Sequence, residues 1–342
     1  MIQAKVIADS KNEFGNRITT MVITFPRIIL AEFNTHRMFS RNSASSRAIP
    51  FEKMLKSVEE NPFIPIAWQK DHKGMQGTEY LTAPIDLAYA NDIWLEARDR
   101  AVKSAKALNK GSKVTKQLCN RLLEPFMYHT IIVTGTEWEN FFALRCPKYD
   151  INIKGENKSF RSWKDYTRTK AVDSLLPIET SDLIPSVLDK LKVNIGQAEI
   201  HMMSLAEAMW DAYNGSIPKE LKDGDWHIPF FDNEYSELTK VIDLEQTQGK
   251  TPQQVAIMIA TARCARVSYT IVGEKGKEPN YENDIKLHDR LAESGHWSPF
   301  EHCARASNYR LQELKYFVGG FSGNFKGFVQ YRKMFNNENI TV

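Results

Sequence analysis

The chain has 342 residues, 42% of them apolar and 11% aromatic, which is enough for one large or two ordinary packed domains. Its 45 Lys and Arg against 42 Asp and Glu leave a formal charge of +3, too small to imply general nucleic-acid binding. Cys119, Cys146, Cys264 and Cys303 show no CxxC spacing, no charged leader precedes an apolar run at the N-terminus, and no apolar stretch nears a bilayer span, so a reduced, cytoplasmic protein that neither enters a membrane nor binds nucleic acid is expected.

Ile2 to Ala8 and Ile18 to Phe33 are rich in β-branched and aromatic residues and read as strands, with Pro26 marking a bend or an edge. Asn34 to Arg47 holds two Asn, four Ser and three Arg and reads as a functional loop entering a helix. Helical periodicity runs from Pro84 to about Ala107, with Gly111 as a stop signal, and a second helix runs through Leu123 to end at Pro125. Phe126 to Val133 is strand-like. Glu137 to Arg145 spaces Trp138, Phe141, Phe142 and Leu144 as a buried helix would.

Pro147 to about Asn194 has scattered charges with Pro177 and Pro185, and reads as a surface excursion. Gln197 to Tyr213 places Ile200, Met203, Ala206 and Trp210 on one helical face, with Gly215 just past its end. A polar linker to about Gly249 follows. A helix then starts at Thr251 with Pro252 in its first position, and another covers Glu282 to Ser294. The tail from Glu301 alternates strand-like runs with a flexible segment from Gly319 to Gly327.

Three constellations carry chemistry. In Thr35 to Arg47, guanidinium forks, serine hydroxyls and backbone amides at a helix start are the groups that bind a phosphate monoester, although a solvated polar loop would look the same by residue type. His296-Trp297-Ser298-Pro299-Phe300-Glu301-His302 holds two His and a Glu, but it lacks HExxH spacing and Pro299 breaks a helix, which favours structural histidines over metal ligands. Asn140 and Arg145 bracket Phe141, Phe142 and Leu144, three residues that core packing alone would explain.

Together these segments resemble the flavin-dependent thymidylate synthase family. His36, Arg37, Ser40, Asn42, Ser45 and Arg47 fall on six of the eight fixed positions of its Arg-His-Arg signature, with Thr35 in place of the first Arg and Ser43 in place of Glu. His296 to His302 is similar to the family's His-x-Ser-Pro-Phe-Glu-His element, and Ala265-Arg266-Val267-Ser268 to the element that precedes it. Asn140 with Arg145 resembles the family's flavin- and pyrimidine-contacting helix, and Arg121 with Pro125 its Ala-Arg-x-x-Leu-Pro element. Gln197 to Ile200 and Ala206 to Met209 resemble the next helix, with Ile195 where the family has a flavin-touching His. The order is rotated: elements that open the family's sequence stand last here, as in a circular permutation. Phe328 to Arg332 resembles the family's approach to the signature, and reads equally as a partial repeat of the strand at residues 18 to 33 or as an ordinary strand.

The resemblance implies an α+β fold with a central antiparallel sheet and helices, circularly permuted. It divides the chain into a nucleotide- and flavin-binding half at 1–146, an excursion at 147–194 and the remaining helices with the permuted element at 195–342. The implied reaction transfers a one-carbon unit to C5 of dUMP, with FAD as cofactor and NADPH and methylenetetrahydrofolate as co-substrates, in a homotetramer with sites between subunits. Ser45, Arg47, Arg121 and Arg145 are then expected to bind nucleotide, with Arg145 also catalytic at the pyrimidine. His36, Arg37, Asn42, Asn140, Ser298 and Glu301 are expected to hold flavin, and no metal is needed. Hydroxymethylation of dUMP or dCMP, or nucleotide binding without catalysis, stay open beside this reading.

Overall fold

A computed structural model describes residues 1–74, 77–174, 186–231, 238, 247–269, 280–307 and 321–338. In chain order its strands are β1 (Gln3–Asn12), β2 (Arg17–Pro26), β3 (Ser40–Ser43), β4 (Tyr128–Gly135), β5 (Tyr149–Ile153), β6 (Glu156–Phe160), β7 (Lys219–Leu221), β8 (Trp226–His227), β9 (Ala304–Ala306), β10 (Phe321–Ser322), β11 (Phe325–Lys326) and β12 (Phe328–Gln330). Its helices are α1 (Leu30–Phe33), α2 (Phe51–Glu60), α3 (Pro84–Lys106), α4 (Lys116–Arg121), α5 (Glu139–Arg145), α6 (Trp163–Ser174), α7 (Val187–Val193), α8 (Ile200–Gly215), α9 (Pro252–Arg266) and α10 (Tyr281–Glu293).

The fold is mixed α+β. A five-stranded sheet has the order β3-β4-β2-β1-β7, with every pairing antiparallel except the parallel edge β1–β7. A second, three-stranded sheet runs β12-β9-β8. Strand periodicity gives the large sheet two unlike faces. Met21, Ile23 and Phe25 of β2 and Ile131 and Val133 of β4 pack on one face against Phe141 and Phe142 of α5 and Met202, Leu205, Ala206 and Met209 of α8. Each such Phe, Ile, Leu, Val or Met side chain, fully buried, contributes about 1.5–3 kcal/mol. The other face carries buried Thr20, Thr24, Thr130 and Thr134. There Ile18 packs with Ala304, Ala306, Phe325 and Phe328, and Ile132 with Cys264 and Val267.

Several elements differ from the sequence expectation. The strand from Ile18 ends at Pro26, because Arg27 turns to donate its N–H to Met127 O and a 3-10 turn leads into α1. Asn34 to Arg47 is not wholly loop: Ser40–Ser43 pairs with β4, and Phe39, Ser40 and Ala44 are buried. Leu144 is 58% exposed, since the buried stripe of α5 runs through Trp138, Phe141, Phe142 and Cys146 and leaves position 144 outside it. Of the expected face of α8, Met203 and Ala206 are buried, together with His201, Met202, Leu205 and Met209, while Ile200 and Trp210 are half-buried on its flank; Gly215 is the helix's last residue. The region 147–194 holds the β5–β6 hairpin, α6 and α7, while Pro177 and Pro185 lie outside the described residues. The linker after Gly215 contains β7 and β8, though much of 232–246 lies outside the described residues, as does Gly319. The helix starts at Thr251 and Pro252 are as read, closed by a capping box between Thr251 and Gln254.

Five histidines are buried among the described residues, and in three of them burial moves the titration: His129 is 2% exposed, and His227 and His302 are fully buried. Burial lowers His129 to about 3, aided by Arg27. It lowers His227 to about 4, against the pull of Asp9, and His302 to about 3, with His227 adding to the shift. Each folded value is below the ordinary 6.5, so between 6.5 and 4 the unfolded chain binds protons that the folded chain refuses. Their stabilising contribution is therefore complete above 6.5 and is lost as pH falls. Urea denaturation should show stability dropping from pH 6.5 to 4.5 by up to about 1.4 kcal/mol per pH unit per buried histidine, with a shallower slope in His129→Gln. A flat profile across that window would contradict the assignment.

Candidate functional site

The edge strand β3 organises the site. Its register places Ser40 opposite Thr134 and Asn42 opposite Ile132, so these two side chains turn to the face shared with α9 and the small sheet, and Arg41 and Ser43 turn to the other. The Arg-rich segment is thereby split between two environments.

On the first face, Asn42 donates its side-chain amide to Cys264 O at 2.7 Å near the end of α9. Its Oδ1 accepts from Ser298 Oγ at 3.4 Å. The Ser45 backbone N–H donates to Ser268 O at 3.0 Å. Ser40 Oγ donates to Asn324 Oδ1 at 3.2 Å, and Gln330 donates to Ser40 Oγ at 3.2 Å. Segments more than 220 positions apart in sequence thus meet on one short strand. The Ser298–Glu301 turn ends in His302, whose Nδ1 is 2.8 Å from Thr134 Oγ1 on β4. Glu301 is committed to Arg332 at 2.5 Å and lies near Arg41.

On the second face Arg145, from the last turn of α5, bridges His36 and Glu32. Its Nε donates to His36 Nε2 at 3.1 Å, and its Nη1 donates to Glu32. Arg41 donates to His36 O at 3.0 Å. The His36 ring meets Phe141 edge-on with centroids 4.8 Å apart and stacks near Phe39. Burial, then Arg145 and Arg41, lower His36 to about 4, so it is a neutral acceptor toward Arg145 at pH 7. Burial also raises Glu32 above the ordinary carboxylate value, further than Arg145 pulls it down, with Glu199 adding to the rise.

Beyond β3 the chain opens toward solvent. Ser45 Oγ accepts the Arg47 N–H at 3.3 Å, making a local turn. Asn120 of α4 clamps that turn by donating to Ser46 O at 2.8 Å and Ile49 O at 3.1 Å, and Lys116 reaches Ala48 O at 3.1 Å. Arg47 and Arg121 are both exposed beside this clamp. The structure thus gathers Ser45, Arg47 and the α4 end carrying Arg121 at one end of the segment, and His36 with Arg145 at the other. Asn140 is exposed in the first turn of α5, and Arg37 is exposed after His36. Ile195 is 51% exposed. All four cysteines are buried, and burial pushes the Cys303 thiol up to about 12.

Of the six side chains expected to hold flavin, His36, Asn42, Ser298 and Glu301 are bonded within the protein, and they point to both faces of β3. Two surface cavities have none of the six in their lining. One, of about 410 Å³, is lined by Arg27, Leu30, Asn34, Glu124 and Pro125. The other, of about 360 Å³, is lined by Trp226, Gln254, His288 and Tyr331 among others. Glu32, Arg41, Asn120 and Arg332 were invisible as site residues from sequence. Their partners are set by sheet register and helix packing; Arg41, inside the signature, and Arg332, at the end of the Phe328–Arg332 segment, had a local signal but no partner to point to.

No protein-family model matches the chain, and no curated protein matches it. Among solved structures, it is similar to a UMP/dUMP methylase PolB from Streptomyces cacaoi bound with 5-Br UMP, at 12% identity and a TM-score of 0.33 over 43% of this chain and 76% of that one. The same methylase bound with 5-Br dUMP aligns at 10% identity and a TM-score of 0.35 over 50% of this chain and 89% of that one.

Asn42 is the side chain that joins β3 to both distant segments. Asn42→Ala removes a 2.7 Å bond to a backbone carbonyl and the Ser298 contact, and should cost about 1–2 kcal/mol in urea denaturation. A loss below about 0.3 kcal/mol would show that β3 pairing holds these segments without it.

Proposed function

We propose that the chain is an enzyme that modifies C5 of a pyrimidine nucleoside monophosphate, with dUMP as the first substrate to test. The observation that carries this reading is the convergence on β3 of the Ala265–Ser268 and Ser298–Glu301 elements, through Ser45 to Ser268 O at 3.0 Å and Asn42 to Cys264 O and Ser298. Those elements resemble one family's motifs in rotated order, and their meeting in space is what a permutation requires.

In this reading the phosphate binds at the Ser45–Arg47 turn. A planar guanidinium gives paired charge-assisted bonds to a phosphate, and both Arg47 and Arg121 are exposed there. The Asn120 clamp holds the turn, so its amides need little ordering on binding. Arg145 is the candidate for the pyrimidine ring: two of its N–H groups are taken by His36 and Glu32, and the others can meet a ring carbonyl as charge develops. Neutral His36 leaves the cationic charge on Arg145. The buried thiols supply no accessible nucleophile to the base.

Carbon transfer to C5 needs a one-carbon donor and a reductant, and the resemblance implies methylenetetrahydrofolate and FAD recharged by NADPH. FAD would supply hydride when bound. The fit to flavin within one chain is poor, because four of the six candidate contacts are engaged by other residues. A site completed by other copies of the chain, as in a homotetramer, would be needed. The same engagement favours a second reading, in which the chain binds the nucleotide without flavin chemistry.

Arg47→Ala should weaken dUMP binding by about ten- to a hundredfold in calorimetry while leaving deoxyuridine binding unchanged. Equal dUMP affinity in both proteins would remove the phosphate from this turn. FAD titration should give saturable micromolar binding, and incubation with dUMP, FAD, NADPH and methylenetetrahydrofolate should yield a nucleotide heavier by one CH2. Tight dUMP binding with neither flavin binding nor product would establish the second reading. A product carrying CH2OH instead would make the reaction a hydroxymethylation.

A further inference from the structure

Five buried side chains form one continuous hydrogen-bonded row behind the large sheet. Ser10 Oγ on β1 is 2.9 Å from His227 Nδ1 on β8. His227 Nε2 is 2.8 Å from Thr20 Oγ1 on β2. Thr20 Oγ1 is 2.7 Å from Thr134 Oγ1 on β4, and Thr134 Oγ1 is 2.8 Å from His302 Nδ1. None of the five is more than 5% exposed. His302 Nε2 is buried and has no hydrogen-bond partner among the described residues.

Proton counting constrains this row. Each hydroxyl has one proton to donate and each neutral imidazole has one N–H; burial keeps both rings neutral. Suppose Ser10 donates to His227 Nδ1. Then His227 carries its proton on Nε2 and donates to Thr20, Thr20 donates to Thr134, Thr134 donates to His302 Nδ1, and His302 has its proton on Nε2. Suppose instead His302 donates from Nδ1. Every bond then runs the other way, His227 donates from Nδ1 to Ser10, and His302 Nε2 is a bare lone pair. Mixed arrangements fail. If neither imidazole donates to a threonine, no proton is left for the 2.7 Å Thr20–Thr134 contact. If both do, one threonine proton is forced out of the row within the buried layer.

We infer that His227 is a positioning residue for His302: the row locks the two imidazoles into the same tautomer and so decides whether His302 Nε2 offers a proton or a lone pair to the polar group that meets it. The complement follows directly. An acceptor such as a carbonyl oxygen suits the first state, and a donor such as an N–H suits the second. His302 closes the Ser298–Glu301 turn that touches β3, so this setting is made at the segment beside the signature. The inference holds whichever nucleotide chemistry the chain performs.

Long-range proton–nitrogen correlation spectra of the histidine rings at pH 7 test it. Both His227 and His302 should show one tautomer, and the same one. Thr20→Val keeps the shape of the side chain but cuts the row, and should turn His302 into a mixture of tautomers; Thr20→Ser, which keeps the hydroxyl, should restore the single form. Opposite tautomers in the wild-type protein would overturn the inference. So would an unchanged His302 tautomer in a folded Thr20→Val protein. The wild-type comparison decides the matter even where that variant does not fold.

Discussion

The pairing of β3 with β4 is the constraint on which the rest of the site depends. A four-residue edge strand has few ladder bonds, and slipping it by one residue would exchange its faces. In the observed register Asn42 reaches the end of α9 while Arg41 reaches the His36 carbonyl. Exchange them, and the guanidinium would turn toward the Cys264 carbonyl and the amide toward the arginine cluster. The register is held on one side by β4, itself in the middle of the sheet, and on the other by contacts from Ala265–Ser268, Ser298 and Asn324.

The two faces of the large sheet have different physical tasks. The apolar face, with Phe25, Phe141, Phe142 and the methionines of α8, supplies most of the burial. The polar face is built from threonines, histidines and a serine that, apart from His302 Nε2, bond to one another across β1, β2, β4, β8 and the end of the Ser298–Glu301 turn. Polar contacts are directional where apolar ones are not, so this layer fixes how the C-terminal segments seat on the sheet. The strands with the least room for error are thus joined by groups that tolerate little.

Charge around β3 follows a similar division. Arg145 and Arg41 sit close together and near His36, and Glu32 and Glu301 oppose them. The arginines Arg47 and Arg121 stand apart, on a surface with Asn120 and Lys116 bracing the turn between them. An internally neutralised cluster and a pair that faces no carboxylate among the described residues therefore lie at opposite ends of one short segment. The second is where the nucleotide phosphate is proposed to bind.

Much of the local structure could be read from the residues. Thr251 and Pro252 announce a helix start because capping and a missing N–H act over one turn, and the helices at 84–106 and 281–293 follow from their own periodicity. The six matched signature positions, and the rotated order of the motifs, were likewise visible without coordinates. Only tertiary structure decided the rest. A four-residue strand of Ser, Arg and Asn carries no apolar alternation, so β3 exists because β4 offers it an edge. Arg145 pairs with Glu32 across 113 positions, and His227 joins Thr20 across 207. Such pairings depend on where packed elements bring two chains of atoms within three ångströms, and no spacing along the sequence encodes that distance.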